Sequence, residues 1–258
     1  MQFFTEEHLK AGILTDEHVP PRSVGGKPLV LTCQACNNLA SGGLDESVAD
    51  DEKLRTFGKP NSVGRLPGSV TVGGFRNNGS IGFDGKTFVL LGHPGQNNPE
   101  TVAAHSQPLD AMGAGSSMTV KFRVRRDLRQ ASLGWMRAAY LVGFAVYGYR
   151  YVLQAAFNIV REAVAVPDLA AFEPTLLRGP NDGALDPSIA EVTGPDWLTG
   201  SVAVSFGPRV ILLPPWGAPA DWLEALGDRI VASFPVSLTC RSAIGRPFPE
   251  HPMHLCDG

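Results

Sequence analysis

Residues 15–38 constrain the fold of this chain more than any other segment. An acidic residue and a histidine, Glu17 and His18, are followed by two prolines and by the turn-forming pair Gly25-Gly26. The apolar run at residues 29–31 then leads into a Cys-x-x-Cys pair, and asparagine, a good helix N-cap, follows at once. This order of residues predicts a strand, a turn, a second strand and a helix.

An arrangement of this kind can gather Glu17, His18 and an asparagine from the following helix around one divalent cation. A hard cation held by oxygen ligands neutralises charge on a phosphate and stabilises the leaving oxygen of a phosphodiester. A neutral imidazole titrates near physiological pH, so it can take a proton from the attacking water. The segment therefore carries the residue types that phosphodiester hydrolysis requires.

The same segment resembles the HNH endonuclease family, which has the ββα-metal architecture. The resemblance rests on two strings, Glu17-His18-Val19-Pro20-Pro21 with Gly25-Gly26, and Cys33-Gln34-Ala35-Cys36-Asn37-Asn38. It implies that His18 is the general base and that Glu17 and Asn37 bind Mg²⁺ or Mn²⁺. It further implies Asp45 as an additional metal ligand, and the hypothesis of an endonuclease adds Arg22 as a phosphate contact.

The chain departs from the family pattern at two places. Family members with such a Cys-x-x-Cys pair usually carry a second pair upstream, which completes a structural zinc site, but no cysteine precedes Cys33 here. Lys27 and Pro28 stand where the central asparagine of the family is expected. These departures motivate an alternative function, a catalytically degenerate relative that binds nucleic acid or a protein partner without cutting.

The individual residues also allow simpler interpretations. His18 could be structural, Asn37 could only cap a helix, and Asp45 could be an exposed acid. Cys33 and Cys36 could form half of a structural zinc site, a redox dithiol, or two unligated thiols. Further zinc ligands could come from a C-terminal cluster, composed of Cys240, His251, His254 and Cys256.

The distribution of hydrophobic and turn-forming residues predicts an α+β fold. We expect a small HNH-like ββα-metal module at residues 1–57 and a larger accessory region at residues 58–258, with antiparallel strands and a helical hairpin. Strands are predicted at 69–72, 87–91, 117–125, 201–206, 210–213 and 230–238, helices at 128–163 and 220–226, and a loop at 173–195. Two hairpin turns are predicted, at Asn77-Asn78-Gly79 and Asp84-Gly85.

Charge and hydropathy limit the possible partners. The formal net charge is −3, so a nucleic-acid partner requires a local basic patch. The strongest basic run contains Lys121, Arg123 and Arg125, which could contact phosphates or could form a solvated strand face. The most apolar stretch, residues 138–149, is too short to span a bilayer, and the N-terminus has no signal-peptide pattern. We therefore expect a cytoplasmic protein without a membrane partner, and the sequence leaves the oligomeric state open.

These observations lead to three hypotheses. The first is a metal-dependent endonuclease that hydrolyses phosphodiester bonds in DNA, with His18 activating water at a divalent cation. The second is the degenerate relative that binds without cutting. The third is a thiol redox protein that uses Cys33 and Cys36, which would require a depressed thiol pKa.

Overall fold

The computed structural model describes residues 6–41, 43–59, 64–97, 100, 117–123, 127–167, 172–179, 185–233, 235 and 237–242. The α-helices are α1 (Glu6–Lys10), α2 (Gln34–Ser41), α3 (Leu44–Thr56), α4 (Leu128–Tyr147), α5 (Tyr149–Val152), α6 (Asn158–Ala165) and α7 (Trp222–Ala232). The strands are β1 (Leu14–Val19), β2 (Lys27–Cys33), β3 (Arg65–Val72), β4 (Phe75–Phe83), β5 (Phe88–Gly92), β6 (Thr119–Phe122), β7 (Leu176–Arg178), β8 (Pro187–Gly194), β9 (Val202–Phe206), β10 (Arg209–Leu213) and β11 (Thr239–Ser242).

The fold is α+β, as the sequence predicted. Strand pairing among the described residues is antiparallel throughout. Contacts divide the chain into two compact units, residues 1–49 with 127–258, and residues 50–126. This division differs from the boundary at residue 57 expected from sequence, because the segment after residue 127 packs with the N-terminal segment. None of the helices in the described ranges is long and apolar enough to cross a membrane.

The first unit contains a β-hairpin, a five-stranded sheet and a buried helix. β1 pairs with β2 and α2 follows directly, so the predicted order of strand, turn, strand and helix is present. The larger sheet has the strand order β11-β8-β9-β10-β7. Helix α4 contacts both the hairpin strands and strands β9 and β10. A single hydrophobic core therefore joins the hairpin to the sheet.

Helix α4 forms where the apolar stripe was predicted, and its ends have clear causes. At the N-terminus, the Asp127 side chain accepts a hydrogen bond from the backbone N–H of Gln130. At the C-terminus, Gly148 adopts a φ of 73°, which ends the helix at a position where L-residues with a side chain are strained. Trp135 and Val142 are fully buried, and burying side chains of this size stabilises the fold by about 1.5–3 kcal/mol each.

The second unit is built on a four-stranded sheet with the order β5-β4-β3-β6. Alternate residues of its strands form an apolar face, on which Val70, Val72 and Ile81 are buried. Four phenylalanine rings of the same unit pack in series, in the order Phe122, Phe57, Phe83 and Phe88. The other residues of each strand form the opposite face.

Three secondary-structure predictions are wrong. Asn77-Asn78-Gly79 lies inside β4 rather than in a turn, and the chain reverses instead at Gly73-Gly74, where both residues have positive φ. The predicted loop at 173–195 contains β7 and β8. The predicted strand at 230–238 is wrong because α7 continues to Ala232, and the last strand begins only at Thr239. The predicted turn at Asp84-Gly85 is confirmed.

Candidate functional site

Strand β1 presents Glu17 and His18 differently. Successive strand residues point to opposite faces, and the register of β1 on β2 shifts between these two residues. Glu17 is buried with 2% of its surface exposed, whereas His18 is partly exposed. The two side chains expected to share one cation thus occupy different environments.

Helix α4 supplies the residue that the sequence analysis missed. Arg137 lies one turn after Gly134, where α3 approaches α4 so closely that a Cβ on Gly134 would lie 2.5 Å from Val48 Cγ2 and 2.9 Å from Leu44 O. Residues three apart share one helix face, so this close approach places Asp45 beside Arg137. An arginine inside an apolar helical stretch was the available signal, because buried arginines require ionic or hydrogen-bonding partners.

Arg137 forms ion pairs with both carboxylates that were predicted as metal ligands. Its Nη2 lies 2.9 Å from Glu17 Oε2, and its Nη1 lies 3.2 Å from Asp45 Oδ1. The Thr32 hydroxyl also donates to Glu17 Oε2 at 3.2 Å. The side chains of Arg137 and Glu17 are 9% and 2% exposed, so this charged cluster is largely removed from water.

Burial shifts the pKa values of both carboxyl groups upward. Desolvation raises the pKa of Glu17, and the charge and hydrogen bond of Arg137, together with the Thr32 hydrogen bond, oppose this shift. Desolvation also raises the pKa of Asp45 to about 6, with Arg137 lowering it and the like charge of Glu17 raising it further. The more accessible of the two carboxyl groups therefore titrates just below neutral pH.

We expect Asp45 to make protein stability depend on pH. Because its folded-state pKa lies above the ordinary value, the folded state binds the proton more tightly than the unfolded state, and stability falls as pH rises from about 4 to about 6. Relative to Asp45→Asn, the wild-type protein should lose about 1–2 kcal/mol of unfolding free energy across this range, less than the full shift implies because the side chain is partly solvated. Urea unfolding at several pH values measures this difference. Parallel plots of unfolding free energy against pH for the wild-type and Asp45→Asn proteins would contradict a raised pKa of Asp45 in the folded state.

Asn37, the third predicted metal ligand, lies inside α2, which begins at Gln34, so it is not the N-cap of this helix. Asn37 donates its side-chain N–H to the backbone oxygen of Asp16 at 3.3 Å, which ties α2 to β1. Among the described residues, no three His, Cys, Asp or Glu side chains form a group that could hold a metal ion. A buried guanidinium is already paired with Glu17, so a divalent cation bound to this carboxylate would have to displace Arg137.

Cys33 and Cys36 lie together at the start of α2. The backbone N–H of Cys36 donates to Cys33 Sγ at 3.2 Å, and both cysteines are free. A separate hydrogen bond between the two thiol side chains, together with burial, raises the pKa of the Cys36 thiol to about 11. A redox dithiol requires a depressed pKa at its attacking thiol, so Cys36 does not fill that role, and the redox hypothesis stays a prediction. Of the C-terminal cluster, only Cys240 lies within the described residues.

The predicted phosphate contacts are distributed over both units. Arg22 is exposed in the short 3₁₀ turn between β1 and β2, in the first unit. Lys121 and Arg123 belong to the second unit, and Arg125 lies outside the described residues. The basic run was therefore correctly placed on a strand as far as Lys121, since β6 ends at Phe122.

A basic groove crosses the polar face of the four-stranded sheet. It has a volume of about 210 Å³, and its charged and polar side chains are those of Ser69, Arg76, Asn78, His93, Gln96, Lys121 and Arg123. Strand register places Lys121 opposite Ser69, and Ser69 opposite Asn78, which puts the groove across β6, β3 and β4. None of the four strands carries an acidic residue.

Sequence reasoning missed Arg76 and His93 as members of this groove. Arg76 was overlooked because the following residues were interpreted as a turn, although they continue β4. His93 lies just after β5, and its Nε2 is 3.2 Å from the Ser80 hydroxyl. Once β4 is extended, strand alternation places Arg76 on the same face as Asn78 and Lys121.

Comparison with family models, with curated proteins and with solved structures finds no match to this chain.

Proposed function

We propose that this protein binds nucleic acid through the basic groove of residues 50–126 without cutting it, and that the nucleic acid is DNA. One observation carries the binding proposal: Arg76, Lys121 and Arg123 line one groove on a sheet whose strands carry no acidic residue. The whole chain has a formal net charge of −3, so this concentration of positive charge is local. A local basic patch of this kind is what a polyanion partner requires in an acidic chain.

The groove has the chemistry of backbone recognition. Lysine and arginine contact phosphate oxygens, and serine, asparagine and glutamine side chains donate hydrogen bonds to phosphates and sugars. Such contacts position a nucleic acid without selecting a base sequence. We therefore propose that binding is salt-dependent and has little sequence preference.

The charge cluster around Arg137 supports the non-cutting part of the proposal. Glu17, the residue that resembles a family metal ligand, is 2% exposed and paired with Arg137. A cation bound by Glu17 would have to displace a buried guanidinium, and one bound by both Glu17 and Asp45 would remove both ion-pair partners of Arg137, which is costly. This cluster gives the ββα segment a structural role, in which the hairpin is held against α4.

Charge reversal in the groove tests the binding proposal. We expect Arg76→Glu with Lys121→Glu to weaken binding of a short fluorescent DNA duplex at least tenfold, measured by anisotropy at low salt. The plot of log K for DNA association against log[salt] has a negative slope, and its magnitude should fall by about 0.9 for each phosphate contact that is lost. Lys86→Glu is the control for the single variant Lys121→Glu, because both change the charge equally and Lys86 lies in the β4–β5 hairpin loop outside the groove.

Two outcomes would overturn the proposal in different ways. Equal DNA affinity of the Lys121→Glu variant and the Lys86→Glu control would remove the groove as the binding site. The same proteins are incubated with supercoiled plasmid and Mg²⁺ or Mn²⁺, and we expect no nicking. Metal-dependent nicking that EDTA stops and His18→Ala abolishes would replace the non-cutting function with that of an HNH-type endonuclease.

A further inference from the structure

A second cavity lies in the first unit, beside the Arg137 cluster. Its volume is about 270 Å³. Its walls come from strand β2 and from helices α2, α4 and α6, the last of which ends at Ala165. The apolar lining comes from Leu141, Val160, Val164 and Ala165, with the ring of Tyr140 beside them. Thr32, Cys36, Arg137 and Arg161 supply the polar atoms. An apolar cavity with a few convergent polar groups is the usual form of a small-molecule site.

The two arginines of the cavity differ in how far their charge is compensated. Arg137 pairs with both Glu17 and Asp45, so its positive charge is already matched by two carboxylates. Arg161 donates to the backbone oxygen of Val152 at 2.6 Å and to the side-chain oxygen of Asn158, which are both neutral acceptors. Within the described part of the chain, no carboxylate pairs with Arg161.

Arg161 retains donors for a further acceptor. A guanidinium has five N–H donors. The bonds to Val152 and Asn158 use two of them, and the neutral hydroxyl of Tyr140 accepts a further one. The side chain is only partly exposed, and none of the described carboxylates pairs with it, so this positive charge lies at the edge of an apolar environment. A partly buried cation of this kind is stabilised by an anion, and guanidinium geometry matches a carboxylate with two parallel hydrogen bonds.

We propose that this cavity binds a small apolar carboxylate, such as a medium-chain fatty acid. The carboxylate pairs with Arg161, and the alkyl chain packs against Leu141, Val160 and Val164. The volume lies slightly below the range of roughly 300–1,000 Å³ typical of pockets for drug-sized ligands, which favours a short, unbranched chain. This binding site is separate from the basic groove and does not depend on the proposed DNA binding.

The proposal is tested with octanoate on the full-length protein. Cys36 lines the cavity and is exposed, so its alkylation by iodoacetamide reports occupancy when followed by peptide mass spectrometry. The reaction is run at alkaline pH, because the pKa of this thiol is raised and only the thiolate reacts. At ten times the calorimetric Kd, octanoate should slow alkylation of Cys36 about tenfold. Cys240 is the internal control, because it is exposed but does not line the cavity, and its rate should not change.

Ligand and protein variants separate the contributions of tail and head group. Hexanoate has two methylenes fewer and should bind roughly fifteenfold more weakly, since each buried methylene changes affinity about fourfold. Octanol, which has the same chain but no charge, should bind at least tenfold more weakly than octanoate. Arg161→Gln should abolish octanoate binding because it removes the charge that pairs with the carboxylate. Val164→Phe should abolish binding because the larger side chain fills the cavity, although Arg161 stays in place.

Three results would overturn the proposal. The first is absence of octanoate binding by calorimetry together with an unchanged Cys36 rate. The second is octanoate binding that leaves Cys36 unprotected, which would place the ligand elsewhere. The third is equal affinity for octanol and octanoate, which would exclude recognition of the carboxylate by Arg161 and needs no protein variant.

Discussion

Arg137→Met is expected to destabilise the protein by about 3–5 kcal/mol, because removal of one partner leaves buried charge uncompensated. Glu17 is 2% exposed and would lose its guanidinium partner, while Asp45 would lose its ion pair at the same time. Equilibrium urea unfolding measures the change, and the denaturation midpoint should fall without a large change in the slope of the transition. This is one of the two largest effects we expect from any single substitution.

A second ion pair supplies the matched control. Arg241 pairs with Glu191 across β11 and β8, but these side chains are 61% and 40% exposed. Arg241→Met should therefore cost no more than about 1 kcal/mol. Adding Glu17→Gln to Arg137→Met should restore part of the lost stability, because the buried carboxylate is then neutral. Equal costs for the two arginine substitutions would show that the Arg137 cluster is not isolated from water.

Gly26→Ala is expected to destabilise the first unit by more than about 3 kcal/mol, above the usual range for overpacking. A Cβ on Gly26 would lie 1.5 Å from the backbone oxygen of Pro20 and 2.5 Å from its carbonyl carbon. Backbone atoms on both sides of the turn cannot move apart without breaking the pairing of β1 and β2. Urea unfolding, with the tryptophan fluorescence of the core as the signal, measures the loss.

The neighbouring Gly25 separates steric overlap from backbone strain. Gly25 has a φ of 91°, and a Cβ there would meet no atom within 4 Å. Gly25→Ala should therefore cost only about 1–2 kcal/mol, the penalty of a left-handed conformation. If Gly26→Ala costs no more than Gly25→Ala, then the close approach of Gly26 to Pro20 is not maintained in solution.

Local sequence patterns predicted the hairpin and helix of the first unit because the signals are short-range. The two prolines and the glycine pair allow a tight reversal, and residues 29–31 are apolar enough to form a buried strand. The stripe through Trp135, Ala139 and Val142 predicted the buried face of α4 for the same reason. In each case, the signal came from residues that are close together in the chain.

The errors fall where local signals compete. Asn77-Asn78-Gly79 has hairpin composition, but Asn77 is buried within the sheet, and pairing with β3 overrides its turn preference. Residues 227–232 combine a glycine with β-branched side chains, yet Ile230 packs into the core as part of α7. Propensity is a weak prior that tertiary packing overrides, so these segments could not be assigned from their composition.

The sequence by itself determined the α+β class, the order of strands and helix in the first unit, and the placement of Lys121 on a strand face. Each of these depends on residues that are close in the chain, where periodicity and turn chemistry act directly. Only the tertiary structure decided the environment of Glu17, the membership of Arg76 in the groove and the cavity beside Arg161. These features join residues from distant elements, such as Glu17 and Arg137, and their charge state depends on burial that no local pattern contains.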